Sequence, residues 1–583
     1  MLLVGAFVAV FLCQFFATWV VPQRTPPSWD ETEYLRQAVI VYDTLCATPM
    51  RSVGLIVDGA HSTWHASLLT SVWLAPFFAA QGVDYMAAYA GMVALLGVSV
   101  LLAWATVWLA LGRGATAAWA GAIAALAYLL APMTLALGSM VMSEVPSGVA
   151  FLAALLAYVW ARQRDTGAAW AVAGVLLALT LLSRAERGMV FIGTMAVVFC
   201  VDQMRLGNWR HNLMTLAGAG AIGLVSGLWL QRWLPLPAAW PAQYVLQGAL
   251  AALAVVGVLF MARHASALHA ALCYGGMAAL LTCGWLTWSH HGTPNAVRVF
   301  EILAERGQAG FHGIIDCYVW PHLAGNYCGS GMAGVLKATL LVLGVWHAAR
   351  RWPGLLVLLL SYVAQAWQAD LAVARFLFHL HLIGALVMGF GAAQALEWLA
   401  RARRTARIMA GETGDWLRLA LTVLVIAVLT PGTVARGVRA FERYDVTTMP
   451  TFDPAQGLWH VLDVLGTVLP DGARFSVVCQ NGMPFSYNTL MTHSLIKGRA
   501  WQSIGWPPTF ENYLCSPDFD YHVILGPGPV TSAYIPYRDG HAYYARMTNL
   551  VMSTGLYRAI LETELGQGTL ALAVFKNMRG RRP

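Results

Sequence analysis

A short acidic stretch at residues 28–36 follows the first apolar segment and reads Ser-Trp-Asp-Glu-Thr-Glu-Tyr-Leu-Arg. It places three carboxylates within four positions, although only 11% of all residues are charged. A carboxylate here could take a proton from a hydroxyl, bind a cation or cap a helix. A helix that began at this point would put Asp30 near its N-cap and Glu31, Tyr34 and Leu35 on one face.

Other residues with suitable chemistry stand at the ends of later apolar runs. Arginines can bind a phosphate, and carboxylates suit a hard cation such as Mg, Mn or Ca. Two histidines four apart can hold a metal ion together. Local structure would also explain each residue alone, since arginines snorkel or form ion pairs, acids cap helices and histidines make simple hydrogen bonds. The residues are Glu144, Arg184, Arg187, Arg375 and the pair His61 and His65.

The composition predicts a polytopic membrane protein. Hydrophobic residues make up 58% of the 583 positions, and the mean hydropathy is +0.60. The net charge of +8 is modest, and no clustered basic face with aromatic residues indicates nucleic-acid binding. Only three of the 36 basic residues are lysines, so arginine by itself is weak evidence for phosphate binding. Residues 2–21 lack a basic start and a small-residue cleavage site, which predicts an uncleaved anchor.

Apolar runs near the length of a membrane-spanning helix predict about thirteen spans. The run at residues 66–80 is shorter and contains Pro76, so we expect it to lie at the interface instead. The predicted spans are residues 2–21, 86–111, 117–137, 146–161, 168–182, 189–201, 213–230, 244–261, 268–288, 332–348, 353–367, 376–396 and 416–429.

Thirteen spans bring the arginine-rich loops to one side, which the positive-inside rule makes cytoplasmic. Asp30, Glu144, Arg184, Arg187 and Arg375 would then all lie on the opposite side, together with the C-terminal region. Acids and arginines that are far apart in sequence would meet there. This arrangement predicts an active site at the outer interface of the membrane.

Two domains follow from this arrangement. Residues 1–430 form the membrane domain, whose first outer loop (22–84) is the catalytic one, and residues 431–583 form a small α/β domain outside the cytoplasm. Within that domain the pattern predicts an amphipathic helix, three strands and a turn. These are residues 458–468, then 474–478, 521–525 and 570–575, and the turn at 526–529.

The outer cysteines would face an oxidising compartment, where disulfides form. Two bridges are then expected, Cys317–Cys328 and Cys479–Cys515, and Cys46 is left over.

Five motifs occur in a characteristic order along the chain. They are Trp29-Asp30-Glu31-x-x-Tyr34, His61-x-x-x-His65, Met140-Val-Met-Ser-Glu144-Val-Pro146, Ser183-Arg184 and Ala374-Arg375-Phe376-Leu377. In this order the chain resembles the GT-C superfamily of membrane glycosyltransferases. The similar members use polyprenyl-phosphate sugars and are related to protein O-mannosyltransferases and aminoarabinose transferases. The chain departs from them at Glu144, where they often have Asp, and at His379 and His381, where prolines are common.

The resemblance implies a GT-C-like fold and the transfer of a sugar from a polyprenyl phosphate to an acceptor hydroxyl, usually with inversion. Asp30 is then the expected general base, because a hydroxyl is a poor nucleophile at neutral pH. Arg184, Arg187 and Arg375 would stabilise the departing phosphate. The other expected catalytic residues are Glu31 and Glu144, which could position the acceptor, orient the arginines or, with His61 and His65, hold a divalent cation.

The expected partners are a polyprenyl-phosphate-linked sugar, membrane lipids and a glycan, lipid or protein acceptor, at the plasma (inner) membrane. A transporter or flippase of a lipid-linked sugar is the alternative. Transporters place ionisable groups near the bilayer midplane, whereas the predicted spans are almost free of acids. A non-catalytic scaffold would leave the carboxylates unexplained.

Overall fold

The computed structural model is mostly helical and carries one small β-sheet near its C-terminal end. It describes residues 2–21, 30–49, 68–183, 185–205, 271–278, 280–282, 331–368, 378–406, 457–479, 487–503, 519–527, 540–565 and 570–578.

The first four helices include the acidic stretch, which begins α2. They are α1 (Leu2–Phe15, continued by a wider turn at Phe16–Val20), α2 (Asp30–Ala47), α3 (Leu68–Gln81) and α4 (Tyr85–Ala110). The predicted helix at the acidic stretch is confirmed by α2. The run expected at the interface forms α3, whose 14 residues are too few for the roughly twenty that cross a bilayer.

Eight further helices and two short turns follow α4 along the chain. They are α5 (Ala115–Leu129), α6 (Pro132–Gly138), α7 (Glu144–Arg164), α8 (Gly167–Leu179, continued by Thr180–Leu182), α9 (Ala185–Arg205), the turn Ala271–Gly276, α10 (Gly331–Arg351), α11 (Pro353–Gln368) and α12 (Phe378–Ala406). The single span expected at residues 117–137 is wrong, because the helix ends at Leu129 and Pro132 starts α6. Proline lacks the N–H that would continue the earlier helix and is favoured in a first helical turn.

Helices α10 and α12 approach each other closely through two glycines. A Cβ atom added at Gly344 would collide with the carbonyl oxygen of Val387. A Cβ atom added at Gly391 would collide with the carbonyl oxygen of Leu340. The two backbones can therefore pack side by side only because neither position carries a side chain.

Among the residues that the structure describes, three helices are long and apolar enough to cross a membrane: α4, α7 and the part of α12 from Phe378 to Arg401. Shorter apolar helices surround them. The expected spans at 213–230, 244–261 and 416–429 lie outside the described residues, so the number of thirteen stays a prediction.

Helices α7 and α9 run side by side in the same direction. Glu144 contacts Arg187 near their first turns, and Tyr158 contacts Asp202 near their ends, at sequence separations of 43 and 44. Fourteen residues of helix separate Glu144 from Tyr158, a rise of about 21 Å. The helical region therefore has an acidic end, marked by Glu144, and an opposite end, marked by Asp202.

Arginines gather at the Asp202 end. Arg162 lies 3.6 Å from Asp202, and Trp352, which follows α10, donates to the same carboxylate. Arg351 and Arg401 both contact Glu397 on α12. Glu31 and Glu144 therefore lie at the opposite end of the helical region from these arginines, as the sequence predicts.

The C-terminal region forms a five-stranded mixed sheet with helices on both faces. Its elements are α13 (Gly457–Val468), β1 (Arg474–Cys479), α14 (Tyr487–Ile496), β2 (Gln502–Ser503), β3 (Tyr521–Pro527), α15 (Gly540–Ser553), β4 (Tyr557–Leu565) and β5 (Leu570–Asn577). The strand order is β2-β1-β3-β5-β4, with β2, β1 and β3 parallel and the last two pairings antiparallel.

Alternation along the central strands divides the apolar side chains between two layers. Val523 and Leu525 pack with α13, whereas Ile524 packs with α15. The predicted helix and the three predicted strands are confirmed. The turn expected at residues 526–529 is wrong at its start, because Gly526 and Pro527 still pair with β5. The boundary at residue 430 lies outside the described residues.

Candidate functional site

The acid-bearing face of α2 is buried. Glu31, Tyr34 and Leu35 expose 2%, 1% and 0% of their surface, as expected for residues three and four apart on one helix face. Asp30 is the first helical residue, where an acid is favoured by the unpaired N–H groups of the first turn.

This face of α2 lies against the segment that leads into α7. The backbone N–H of Val141 donates to Oε1 of Glu31 over 2.8 Å, and the Tyr34 hydroxyl donates to Oγ of Ser143 over 3.1 Å. The motif at residues 140–146, which contains both partners, is therefore held directly against the motif at residues 29–34. The Glu31 carboxylate is a buried contact between the two motifs, which a surface helix cap would not be.

Glu144 and Arg187 form a buried ion pair at the acidic end. The Glu144 side chain is fully buried at the first residue of α7, and its Oε1 lies 3.0 Å from Nη2 of Arg187. The Arg187 side chain is 14% exposed. The positive end of the α7 dipole and the guanidinium both stabilise the carboxylate, which explains how an acid tolerates this burial.

The start of α12 joins the same cluster through His379. Its Nε2 lies 2.8 Å from Oγ of Ser147, one turn below Glu144, and its ring stacks on Tyr362 at 5.9 Å. The sequence marked His379 only as a departure from the resemblance. His379 lies four residues after Arg375, a predicted site residue, and this spacing could have identified it from the sequence.

A second polar cluster occupies the opposite end and was not anticipated. Asp202, only 4% exposed, accepts from the Tyr158 hydroxyl over 2.9 Å and from Nε1 of Trp352 over 3.2 Å. An acid placed between an apolar run and Arg205 resembles an ordinary loop start in the sequence, so its burial could not be read there. About 21 Å from Glu144, it takes no part in the acidic-end cluster.

Several predicted site residues lie outside the described residues, namely Arg184, Arg375, His61 and His65. The same holds for Cys317, Cys328 and Cys515, so both expected disulfides stay predictions. Cys46 is exposed and forms no disulfide with another cysteine in the described part of the chain.

The described carboxylates are not grouped as the ligands of a divalent-cation site would be. Within the described ranges, no three His, Cys, Asp or Glu side chains come close enough together to hold a metal ion. The guanidinium of Arg187, 3.0 Å from Glu144, would also repel a second cation at that carboxylate.

The C-terminal region also contacts the first turn of α2. The Thr492 hydroxyl of α14 donates to the carbonyl oxygen of Thr32 over 3.2 Å. Beside it, the Tyr85 hydroxyl lies 3.1 Å from Nδ1 of His493. Burial, with the nearby cation Lys497, lowers the pKa of His493 to about 4, so its ring is neutral at pH 7 and can accept from Tyr85.

No protein-family model and no curated protein matches the chain. Among solved structures, it resembles the archaeal oligosaccharyltransferase AglB from Archaeoglobus fulgidus, in complex with an inhibitory peptide and a dolichol-phosphate. The identity is 13% and the TM-score 0.44, and the match covers 100% of this chain and 74% of that one. Another structure of the Archaeoglobus enzyme contains Zn and sulfate.

Two bacterial structures are also similar. ArnT from Cupriavidus metallidurans, bound to undecaprenyl phosphate, is 12% identical with a TM-score of 0.38, covering 99% of this chain and 98% of that one. The arabinofuranosyltransferase AftD from Mycobacteria is 13% identical with a TM-score of 0.47, covering 98% of this chain but 40% of that one. Identities this low leave the role of each residue to the geometry of this chain. The solved structures to which it is similar are GT-C glycosyltransferases.

Proposed function

We propose that this protein is an integral membrane glycosyltransferase that moves a sugar from a polyprenyl-phosphate donor to an acceptor hydroxyl, with inversion. Asp30 acts as the general base. The observation that carries this proposal is the convergence of Glu31, Tyr34, Glu144 and Arg187 at one end of a bundle of apolar helices. These residues come from three segments that are up to 156 positions apart in the sequence.

The role of base falls to Asp30 because its neighbour is already engaged. The Glu31 carboxylate accepts a hydrogen bond from the N–H of Val141, which fixes its place. Asp30 begins the same helix, so the contacts of Glu31 also fix the backbone that carries Asp30. A base must lie within hydrogen-bond reach of the acceptor hydroxyl and must be ionised, and a carboxylate meets the second condition at pH 7.

Arg187 provides positive charge for the leaving phosphate. As the glycosidic bond breaks, the polyprenyl phosphate gains charge, and a fixed cation stabilises it more in the transition state than in the ground state. Glu144 orients the guanidinium, which carries five N–H donors and can therefore contact a carboxylate and a phosphate together. Arg184 and Arg375 are proposed to contact the same phosphate.

The orientation in the membrane is proposed from the arginine distribution. The end that carries Arg162, Arg351 and Arg401 faces the cytoplasm, so the acidic end and the α/β domain face outward from the plasma membrane. In this arrangement residues 1–430 form a membrane domain of about thirteen spans, and residues 431–583 form the extracytoplasmic domain.

No step of this mechanism is assigned to a divalent cation, because Arg187 already provides the positive charge beside Glu144. A metal held with His61 and His65 stays a prediction. Transfer that stops after treatment with EDTA and returns with Mg²⁺, Mn²⁺ or Ca²⁺ would support that site, whereas unchanged transfer would exclude it.

The experiment that tests the function uses purified protein in vesicles with a polyprenyl-phosphate sugar labelled in the sugar. A transferase releases free polyprenyl phosphate only when an acceptor hydroxyl is present. A flippase moves intact donor between the leaflets and releases none, so donor movement without release would support the alternative and contradict the proposal.

A further inference from the structure

We infer that the C-terminal α/β domain positions the acid-bearing helix, and that Thr492 and His493 of α14 are positioning residues for sugar transfer. The inference rests on the proposed function for its effect on turnover. The contacts themselves are independent of that function.

The first contact falls inside the first turn of α2. Thr492 donates its hydroxyl to the carbonyl oxygen of Thr32, two residues after Asp30. Both threonines are buried, at 1% and 0% exposure. The residues are 460 positions apart, so chain connectivity does not force them together, and the contact has to come from the packing of α14 on α2.

The second contact also comes from α14 and joins the α/β domain, called the tail below, to the start of α4. The Tyr85 hydroxyl lies 3.1 Å from Nδ1 of His493, and the ring of Trp459 on α13 packs edge-on against Tyr85 with centroids 5.0 Å apart. Tyr85 and His493 are 4% and 5% exposed. Leu495 and Ile496, which end α14, pack against the apolar core of the helical region. The α/β domain therefore meets the helical region through a buried, partly apolar contact.

Together these contacts join the start of α2 to two separate parts of the protein. Glu31 and Tyr34 bind the segment before Glu144, while Thr32 between them accepts from the tail. Asp30 precedes all three, so a shift of the first turn would break contacts with both of these parts. Arg187 lies on α9, and its contact with Glu144 involves no residue of the tail.

Loss of the tail contact should therefore slow turnover without weakening donor binding. A proton acceptor displaced by a fraction of an ångström loses much of its effect, since catalysis depends on close positioning. A general structural defect would instead lower expression, donor affinity and turnover together.

The test uses the full-length protein with Thr492→Val, which keeps the shape but removes the hydroxyl. Thr492→Ser restores the donor. Thr548→Val is the matched control, because Thr548 is also buried in the tail but its hydroxyl bonds only within α15. The readouts are amide hydrogen exchange in residues 30–47, donor Kd and kcat.

In Thr492→Val we expect the amides at the start of α2 to exchange about fivefold faster, the effect of one lost hydrogen bond. We also expect a lower kcat at unchanged donor Kd, wild-type behaviour in Thr492→Ser, and no change in Thr548→Val. Wild-type exchange in Thr492→Val, or faster exchange with unchanged kcat, would overturn the inference. If the wild-type protein transferred no sugar, the proposed function would fail, while the exchange measurement would still decide whether the tail holds α2.

Discussion

Glu31 and Val141, 110 positions apart, are joined by a 2.8 Å hydrogen bond from a backbone N–H to a buried carboxylate. This bond connects the motif at residues 29–34 to the motif at residues 140–146. The two acidic motifs are therefore parts of one structure, and the positions of their acids depend on each other.

Replacement of Glu31 should separate positioning from chemistry. In Glu31→Gln the amide oxygen can still accept from Val141, so stability and turnover should stay close to wild type. In Glu31→Leu the buried N–H loses its acceptor, which should lower the free energy of unfolding by about 1–3 kcal/mol. Thermal denaturation in detergent measures the first effect and a transfer assay the second. Loss of turnover in a stable Glu31→Gln protein would instead give Glu31 a direct chemical role.

The ion pair of Glu144 and Arg187 predicts strong coupling. Glu144→Gln leaves a mostly buried guanidinium without its counter-charge, so stability should fall by about 3 kcal/mol, at the low end for buried pairs because Arg187 is partly exposed. Arg187→Met should weaken donor binding by about 1.5–3 kcal/mol through loss of a charged hydrogen bond. Both single variants should lower the free energy of unfolding, and the double variant should lower it by less than the sum of the two. Additive losses in this double-mutant cycle would show that the two side chains do not interact.

The Asp202 cluster provides a contrast at the opposite end. Tyr158→Phe removes the hydroxyl that donates to Asp202, so the free energy of unfolding should fall by about 1–3 kcal/mol. Donor affinity should not change, because the cluster lies about 21 Å from Glu144. Donor binding measured at a temperature where the variant is folded checks this. Weaker binding would mean that the donor site extends to the Asp202 end.

The contact between the α/β domain and the helical region should weaken in acid. Histidine in an unfolded chain titrates near pH 6.5, but burial and the nearby cations Lys497 and Arg499 lower the pKa of His493 to about 4, despite the opposing effect of Asp463. Because the unfolded state takes up the proton first, this contribution is complete above about pH 6.5 and is lost as the pH falls towards 4.

The matched variant for this effect is His493→Gln, whose amide oxygen accepts from Tyr85 without titrating. The Tm of the wild type should fall more than that of the variant between pH 7.5 and pH 5. Equal falls would show that His493 is not responsible for the pH dependence.

The sequence predicts those features that depend on local pattern. The length of the apolar runs predicts α4, α7 and α12. The spacing of three and four residues predicts that Glu31, Tyr34 and Leu35 share one helix face. The sequence does not predict strand β4. From Tyr557 to Leu565 exposed residues, most of them charged, alternate with partly buried ones, as in an edge strand. Such a strand lacks the apolar run that identifies a central strand.

The pairing of residues far apart could not be predicted in the same way. The separation of 43 positions between Glu144 and Arg187 follows from how α7 packs beside α9, and no local pattern encodes it. Hydrogen bonds such as that of Thr492 with Thr32 depend on where the α/β domain lies against the helical region. The sequence could therefore predict that Glu31, Glu144 and Arg187 lie at one end of the helices, but it could not assign their partners.

The central claim is that Asp30 is the general base of sugar transfer. The direct measurement is kcat of a well-expressed Asp30→Asn protein with a polyprenyl-phosphate sugar, together with its donor Kd. Asn keeps the shape and is about as good a helix cap as Asp, but it cannot take the proton. We predict normal folding, unchanged donor Kd and a fall in kcat of about two to four orders of magnitude. A kcat near that of the wild type would contradict the assignment and make Asp30 a helix cap.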